Sequence, residues 1–331
     1  MSDQHSPNAN KPQGIKKEKK MSRNFNAGSR DMSKAGAILA KQSTQSFSSA
    51  ATLASRFDQF VEFAKDQGIK YLEGVTKDTV LAYAESLKNS DLSASTQQNY
   101  LSAVNVIMST ARGDDEVRVT GKEVNLESRS GVAQDFRGTA ERSDLSERTQ
   151  AIVELARDFG LRFEEASKLD AKQALDQASK GSIFVDKGTK GGQPREIPIT
   201  SEKQLQTLLN ASQIQGSDKS MIASDKTYAE HQRETYKETS NFHAERHAYA
   251  NERYSDLMRE KLGIEIKSPV LSEKPEGQSW ASYVAEKAHE QGVNISPEIA
   301  REFDREARLE LSEELGHHRE DVVSAYIGGQ R

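Results

Sequence analysis

The chain of 331 residues is long enough for two domains, yet only 34% of it is hydrophobic and 29% is charged, against roughly 45–50% apolar content in an average globular domain. Zero cysteines exclude disulfides, thiolate metal sites and cysteine nucleophiles; no apolar run approaches the ~20 residues that span a bilayer, and the polar N-terminus lacks a secretory pattern, so a cytoplasmic protein with no membrane partner is expected. The net charge of −5 argues against indiscriminate nucleic-acid binding, but the charge is unevenly placed, with nine Lys/Arg against three Asp/Glu in residues 1–45 and nine against fifteen in residues 251–314.

Residues 1–45 are rich in Lys, Ser, Asn, Gln and Gly and poor in apolar side chains, which predicts a disordered basic tail. Its Lys16-Lys17-Glu18-Lys19-Lys20 run suits either phosphates or plain solvation. From Phe47 the pattern turns helical. Leu53, Phe57, Phe60, Val61 and Ala64 share one face of a helix that Gly68 ends. Thr76 is an N-cap for a second helix with Val80, Tyr83 and Leu87. Ser93 or Ser95 opens a third, striped by Tyr100, Leu101, Val104, Ile107 and Met108. A small helical domain over residues 46–115 follows.

Residues 116–146 are charged and lack apolar periodicity, as an exposed linker would. A second domain is expected over 147–331. It opens with a helix carrying Ile152, Val153, Leu155, Ala156 and Phe159. Ile183-Phe184-Val185 and Glu196-Ile197-Pro198-Ile199 flank Lys187-Gly188-Thr189-Lys190-Gly191-Gly192, which reads as a hairpin with a Gly-rich turn. A helix is predicted from Ser201 to Leu209, and residues 226–262 are charged and helix-prone. Pro269 and Pro275 break the pattern before helices at 279–291 and, after Ser296-Pro297, to 315.

Certain residues of this domain suit one chemistry. Breaking a phosphodiester reversibly needs a nucleophile, stabilisation of a pentavalent phosphorane and an acid for the leaving oxygen. Arginine forks match two non-bridging oxygens, which lysine does not. Arg162, a lysine in the hairpin turn, His243, Arg246, His317 and Tyr326 occur in an order that equips a chain to handle one phosphodiester through a covalent tyrosine. His243 and Arg246, three apart, lie on one helix face. The same stretch also reads as His-x-x-x-His, but a zinc protease would need Glu directly after the first histidine, and Ala244 stands there.

In Gly160-Leu161-Arg162-Phe163-Glu164-Glu165, His243-Ala244-Glu245-Arg246-His247-Ala248-Tyr249-Ala250 and Leu315-Gly316-His317, with Tyr326 nine residues further on, the chain resembles the tyrosine recombinase family of phage integrases and Xer-type resolvases. The resemblance implies a mainly α fold: a SAM-like helical core-binding domain, then an α+β catalytic domain with a small antiparallel sheet. It makes Arg162 and Arg246 the phosphate-binding arginines, with Glu165 a buried partner of the first. His243 becomes a hydrogen-bond donor or proton shuttle, and His317 a donor to the phosphate. Tyr326 becomes the nucleophile. His247 reads as structural, and His318 rivals His317 by adjacency alone. The family's catalytic lysine lies eight residues before the proline of the second strand; counting back from Pro198 gives Lys190, with Lys187 as a rival.

The implied activity is DNA site-specific recombination for a mobile element, through a 3′-phosphotyrosine link and without metal, ATP or other cofactor. The alternatives are a type IB topoisomerase-like nicking and closing enzyme, or a DNA-binding regulator that keeps the fold without catalysis. The implied partners are double-stranded DNA, three further copies in a tetrameric synapse, and an accessory DNA-bending or directionality protein, all at the nucleoid. Two departures stand out. The 71 residues from Arg246 to His317 exceed the spacing of simple members, so 251–314 reads as an acidic helical insertion. No proline precedes the His-x-x-Arg box, and the chain ends five residues after Tyr326, too soon for a C-terminal helix to be exchanged with a neighbour.

Overall fold

The computed structural model describes residues 23–128, 132–133, 139 and 143–329. It is helical apart from one small sheet, as the resemblance implies, and it divides into two compact units, residues 1–130 and 131–331. Among the described residues no helix is long and apolar enough to cross a membrane.

Four helices build the first unit: α1 (Met32–Ser43), α2 (Phe47–Asp66), α3 (Lys77–Lys88) and α4 (Ala94–Arg112). Each starts on a side chain that satisfies an orphan amide of the first turn. Asp31 accepts from the Lys34 amide, Ser46 from Ser49, Thr76 from Thr79 and Ser93 from Thr96. The apolar stripes then meet in one core around Phe57, Phe60, Val61, Tyr83, Leu101, Val104, Ile107 and Met108. Gly36 lets α1 lie directly on the Phe57 ring, where any Cβ would collide.

Both ends of this unit depart from expectation. The tail, expected to run to residue 45, gives way to structure by residue 23; its part before that lies outside the described residues. Met32, Ala35, Leu39 and Ala40 of α1 are buried in the core, and Asn24 is buried with its side chain accepting from the Leu72 amide at 2.8 Å. The small residues of α1 disguise its stripe, because Ala and Gly carry little apolar weight. The linker, expected from 116, begins later. Val117, Val119, Val124 and Leu126 are buried in the same core, and Asn105 ties the segment down through the Val119 amide and carbonyl.

The second unit holds α5 (Glu147–Phe159), α6 (Phe163–Lys168), α7 (Ala171–Ala178), β1 (Ser182–Val185), β2 (Arg195–Pro198), α8 (Glu202–Gln215), α9 (Tyr228–Glu238), α10 (Phe242–Leu262), α11 (Trp280–Glu290), α12 (Pro297–Glu314) and α13 (Glu320–Ile327). β1 and β2 pair antiparallel with Ile183 opposite Ile197. Two apolar clusters fill the unit. One joins α5 to α8 and the sheet, the other joins α10 to α13. Helix α10 crosses between them, with Phe242 in the first cluster and Tyr249, Tyr254 and Leu257 in the second. No break falls near residue 250, where an insertion was expected to begin; α10 runs on to Leu262. Trp280, Tyr283, Ala307 and Leu311 from residues 251–314 share their core with Val323 and Tyr326.

Candidate active site

Arg162 stands at the start of α6, just after Gly160 has turned the chain out of α5 with φ of 60°. A Cβ at Gly160 would lie 2.5 Å from Cδ1 of Tyr249, so the turn needs glycine for both conformation and space. Glu165, one turn into α6 and fully buried, accepts the Arg162 amide at 2.7 Å and its Nη1 at 2.7 Å. It also accepts Nη1 and Nη2 of Arg195 at 2.8 and 2.7 Å. Nη1 of Arg246 stands 3.9 Å from the same carboxylate. Burial opposes ionisation of Glu165, but Arg195, Arg246 and the Arg162 amide outweigh it and hold its pKa down at about 2.

Arg246 is fully buried on α10. Its Nη1 donates to the Gly160 carbonyl and its Nη2 to the Leu315 carbonyl. These carbonyls sit at the C-terminal ends of α5 and α12, where the helix dipoles favour a cation. Burial pulls the guanidinium pKa down, with the neighbouring Arg162 and Arg195 adding to the effect, to about 10. That still leaves it charged at neutral pH. The remaining donor, Nε, reaches the Tyr326 hydroxyl at 3.2 Å.

His317 completes the group. Gly316, at φ of 68°, turns the chain off α12, and a Cβ there would lie 3.0 Å from Cδ of Arg195. Nε2 of His317 lies 3.2 Å from the Tyr326 hydroxyl, 3.4 Å from Nη2 of Arg246 and 3.5 Å from Nη2 of Arg162. Burial, then the charges of Arg246, Arg162, Lys190 and Arg195, push the imidazole pKa down to about 4. The neutral ring, faced by two guanidinium groups that can only donate, presents its Nε2 lone pair to them and to the tyrosine. The Tyr326 oxygen thus accepts from Arg246 while its proton points at His317.

The sequence placed Arg162, Arg246, His317 and Tyr326 in one site; in the structure Arg246 and His317 reach the Tyr326 hydroxyl and Arg162 reaches His317. His243 is exposed on the first turn of α10, with its ring centroid 5.7 Å from that of Tyr326. His247 is buried with its ring 4.7 Å from the tyrosine ring, so it walls the nucleophile candidate. His318 is exposed and adopts φ of 55°. The two hairpin lysines diverge. Lys190 acts electrostatically on His317, whereas Lys187 acts on Asp170. A cavity of about 260 Å³ opens beside the group, and its lining includes Arg162, Glu164, His243 and Arg246 together with Phe163 and Phe242.

Sequence reading missed Arg195. It sits three residues before Pro198 at an inward-facing position of β2, level in burial with Ile197. Nε of Arg195 donates to the Glu314 carbonyl at 2.7 Å, which ties the sheet to the turn carrying His317. A charged residue on the buried parity of a strand was the available signal. Among the described residues no cluster of three or more His, Asp or Glu is placed to share a metal ion.

Residues 122–252 match the family model described as Integrase. No curated protein sequence matches the chain. Among solved structures, the chain is similar to the XerH site-specific recombinase bound to a palindromic difH substrate in a post-cleavage complex, at 14% identity and a TM-score of 0.45, over 85% of this chain and 82% of that one. It is also similar to the Tn1549 transposon integrase in complex with a circular intermediate DNA, at 12% identity and a TM-score of 0.44, over 81% and 87%. A third is the integrase from mycobacterium phage Brujita, at 14% identity and a TM-score of 0.29, over 90% and 98%.

Proposed function

We propose that the chain, whose residues 122–252 match the integrase family model, is a DNA site-specific recombinase that cuts and rejoins strands through a 3′-phosphotyrosine link. The observation that carries this reading is the seating of the Tyr326 hydroxyl between Nε of Arg246 and Nε2 of His317, each 3.2 Å away, with Nη2 of Arg162 3.5 Å from the same ring nitrogen. A scissile phosphate drawn to that point meets two guanidinium groups that can spread over its non-bridging oxygens. The tyrosine oxygen, polarised by Arg246, gives its proton to Nε2 of His317 and attacks phosphorus, and the bond to the 5′ oxygen breaks. Lys190 gives that leaving oxygen its proton. The freed 5′-hydroxyl of a partner strand then attacks the phosphotyrosine and releases Tyr326, so the strands exchange without net hydrolysis. His243, exposed and lining the cavity, contributes a hydrogen bond to the phosphate, and His317 does the same once the anion raises its proton affinity.

Work on two duplexes implies a tetramer on the synapsed DNA, with an accessory DNA-bending or directionality protein as a further partner. A duplex nicked beside the cleavage site tests the chemistry. Wild type should accumulate a covalent protein–DNA adduct because the short flap diffuses away, and Tyr326→Phe should not. Equal adduct from both would remove Tyr326 from its role.

A further inference from the structure

The reading above leaves residues 251–314 without a task, yet they hold the end of the helix that bears Tyr326. The last carbonyls of a helix have no partner within it. For α13 one of them, and the carbonyl of the capping residue Gly328 just beyond the helix, are met from this segment. Nδ2 of Asn251 donates to the Tyr326 carbonyl at 3.2 Å, and Nη1 of Arg308 to the Gly328 carbonyl at 3.2 Å. The same Nη1 reaches the Ser324 hydroxyl at 3.3 Å. Gly328 passes so close to the 269–270 turn that a Cβ there would lie 3.0 Å from the Val270 nitrogen.

Arg308 is itself fixed. Its Nε donates to both oxygens of Asp304 at 3.0 Å, and both side chains are buried. Asp304 also accepts Nε1 of Trp280 at 3.0 Å and the Tyr254 hydroxyl. One carboxylate therefore gathers α10, α11 and α12, and one guanidinium carries that frame to α13. The cation also lies where the dipole of α13 favours it.

We propose that residues 251–314 form the seat of the nucleophile helix and that Arg308 is a positioning residue for Tyr326. It fixes the C-terminal turn of α13, and with it the angle at which the tyrosine oxygen meets Arg246. The idea rests on Tyr326 being the nucleophile, and its test separates the two claims. In the full-length chain, Arg308→Lys keeps a cation beside Asp304 but loses the planar fork that spans Asp304, Ser324 and Gly328.

Without DNA, amide exchange at residues 325–328 should quicken about tenfold in Arg308→Lys, while α10 and α12 keep their protection. With nicked duplex, the rate of adduct formation should fall about tenfold, while the protein concentration that half-saturates the DNA stays unchanged. Should Arg308→Met also fold, it should show the same pattern more strongly. Unchanged exchange at 325–328, or a loss of DNA affinity that accounts for the loss of rate, overturns the proposal. A wild-type chain that forms no adduct overturns the reading of Tyr326 instead and leaves the exchange result standing.

Discussion

Glu165 and Arg195 meet through two parallel bonds of 2.7 and 2.8 Å, with both side chains out of solvent. Through that one carboxylate the start of α6, strand β2 and the buried guanidinium of Arg246 are bound into a single unit. Its oxygens are what make three arginines in one interior tolerable, since a buried cation without a counter-ion is far costlier than a paired one.

Glu165→Gln keeps the shape and removes the charge. The expected outcome is a loss of about 3–5 kcal/mol in urea denaturation, the range for breaking one side of a buried pair. A loss under 1 kcal/mol would mean that the arginines are balanced elsewhere.

Acid should destabilise the protein in two windows. The folded pKa of His317 lies at about 4 against an ordinary 6.5, so the unfolded chain binds its proton first. Its contribution is complete above pH 6.5 and drains away as pH falls toward 4. Glu165, at about 2 against 4.5, contributes above pH 4.5 and loses its share between there and 2. Denaturation free energy followed across this range should slope downward with acid, and His317→Asn should flatten the upper window only.

His317 should also report the arrival of a phosphate. The free protein should show a neutral ring by NMR at every pH down to about 4. A bound anion favours the charged form, so DNA with an intact scissile phosphate should move the titration upward in Tyr326→Phe protein. A titration that DNA leaves in place would put the phosphate outside the reach of His317.

Lys190→Ala should block cleavage of an ordinary duplex and recover on one whose 5′-bridging oxygen at the scissile phosphate is sulfur, because a thiolate departs without an acid. Lys187→Ala should cleave both. Recovery by Lys187→Ala in place of Lys190→Ala would transfer the proton to the other lysine.

Much of this site was legible in the sequence because chemistry forces rare residue types into short spacings. Arg162 and Glu165 had to share a turn, and His243 and Arg246 a helix face. What escaped was whatever depends on residues far apart in the chain. Arg195 meets Glu165 across 30 positions and the Glu314 carbonyl across 119, and no periodicity encodes such pairings. Helix α1 escaped because alanine and glycine build its inner face, which looks like composition bias until Phe57 is set against Gly36. Residues 251–314 looked like an acidic addition because charge is counted over the surface. Their function in the fold lies in buried Asn251, Trp280, Asp304 and Arg308.

The most direct test of the central claim is to digest the adduct trapped on nicked duplex and find which peptide keeps the nucleotide. The account predicts a phosphonucleotide mass on the peptide that contains Tyr326, fragmenting at that residue, and a free 5′-hydroxyl on the released strand. A nucleotide on any other of the nine tyrosines of the chain, or a cleaved strand that ends in free 3′-phosphate with no peptide attached, would contradict it.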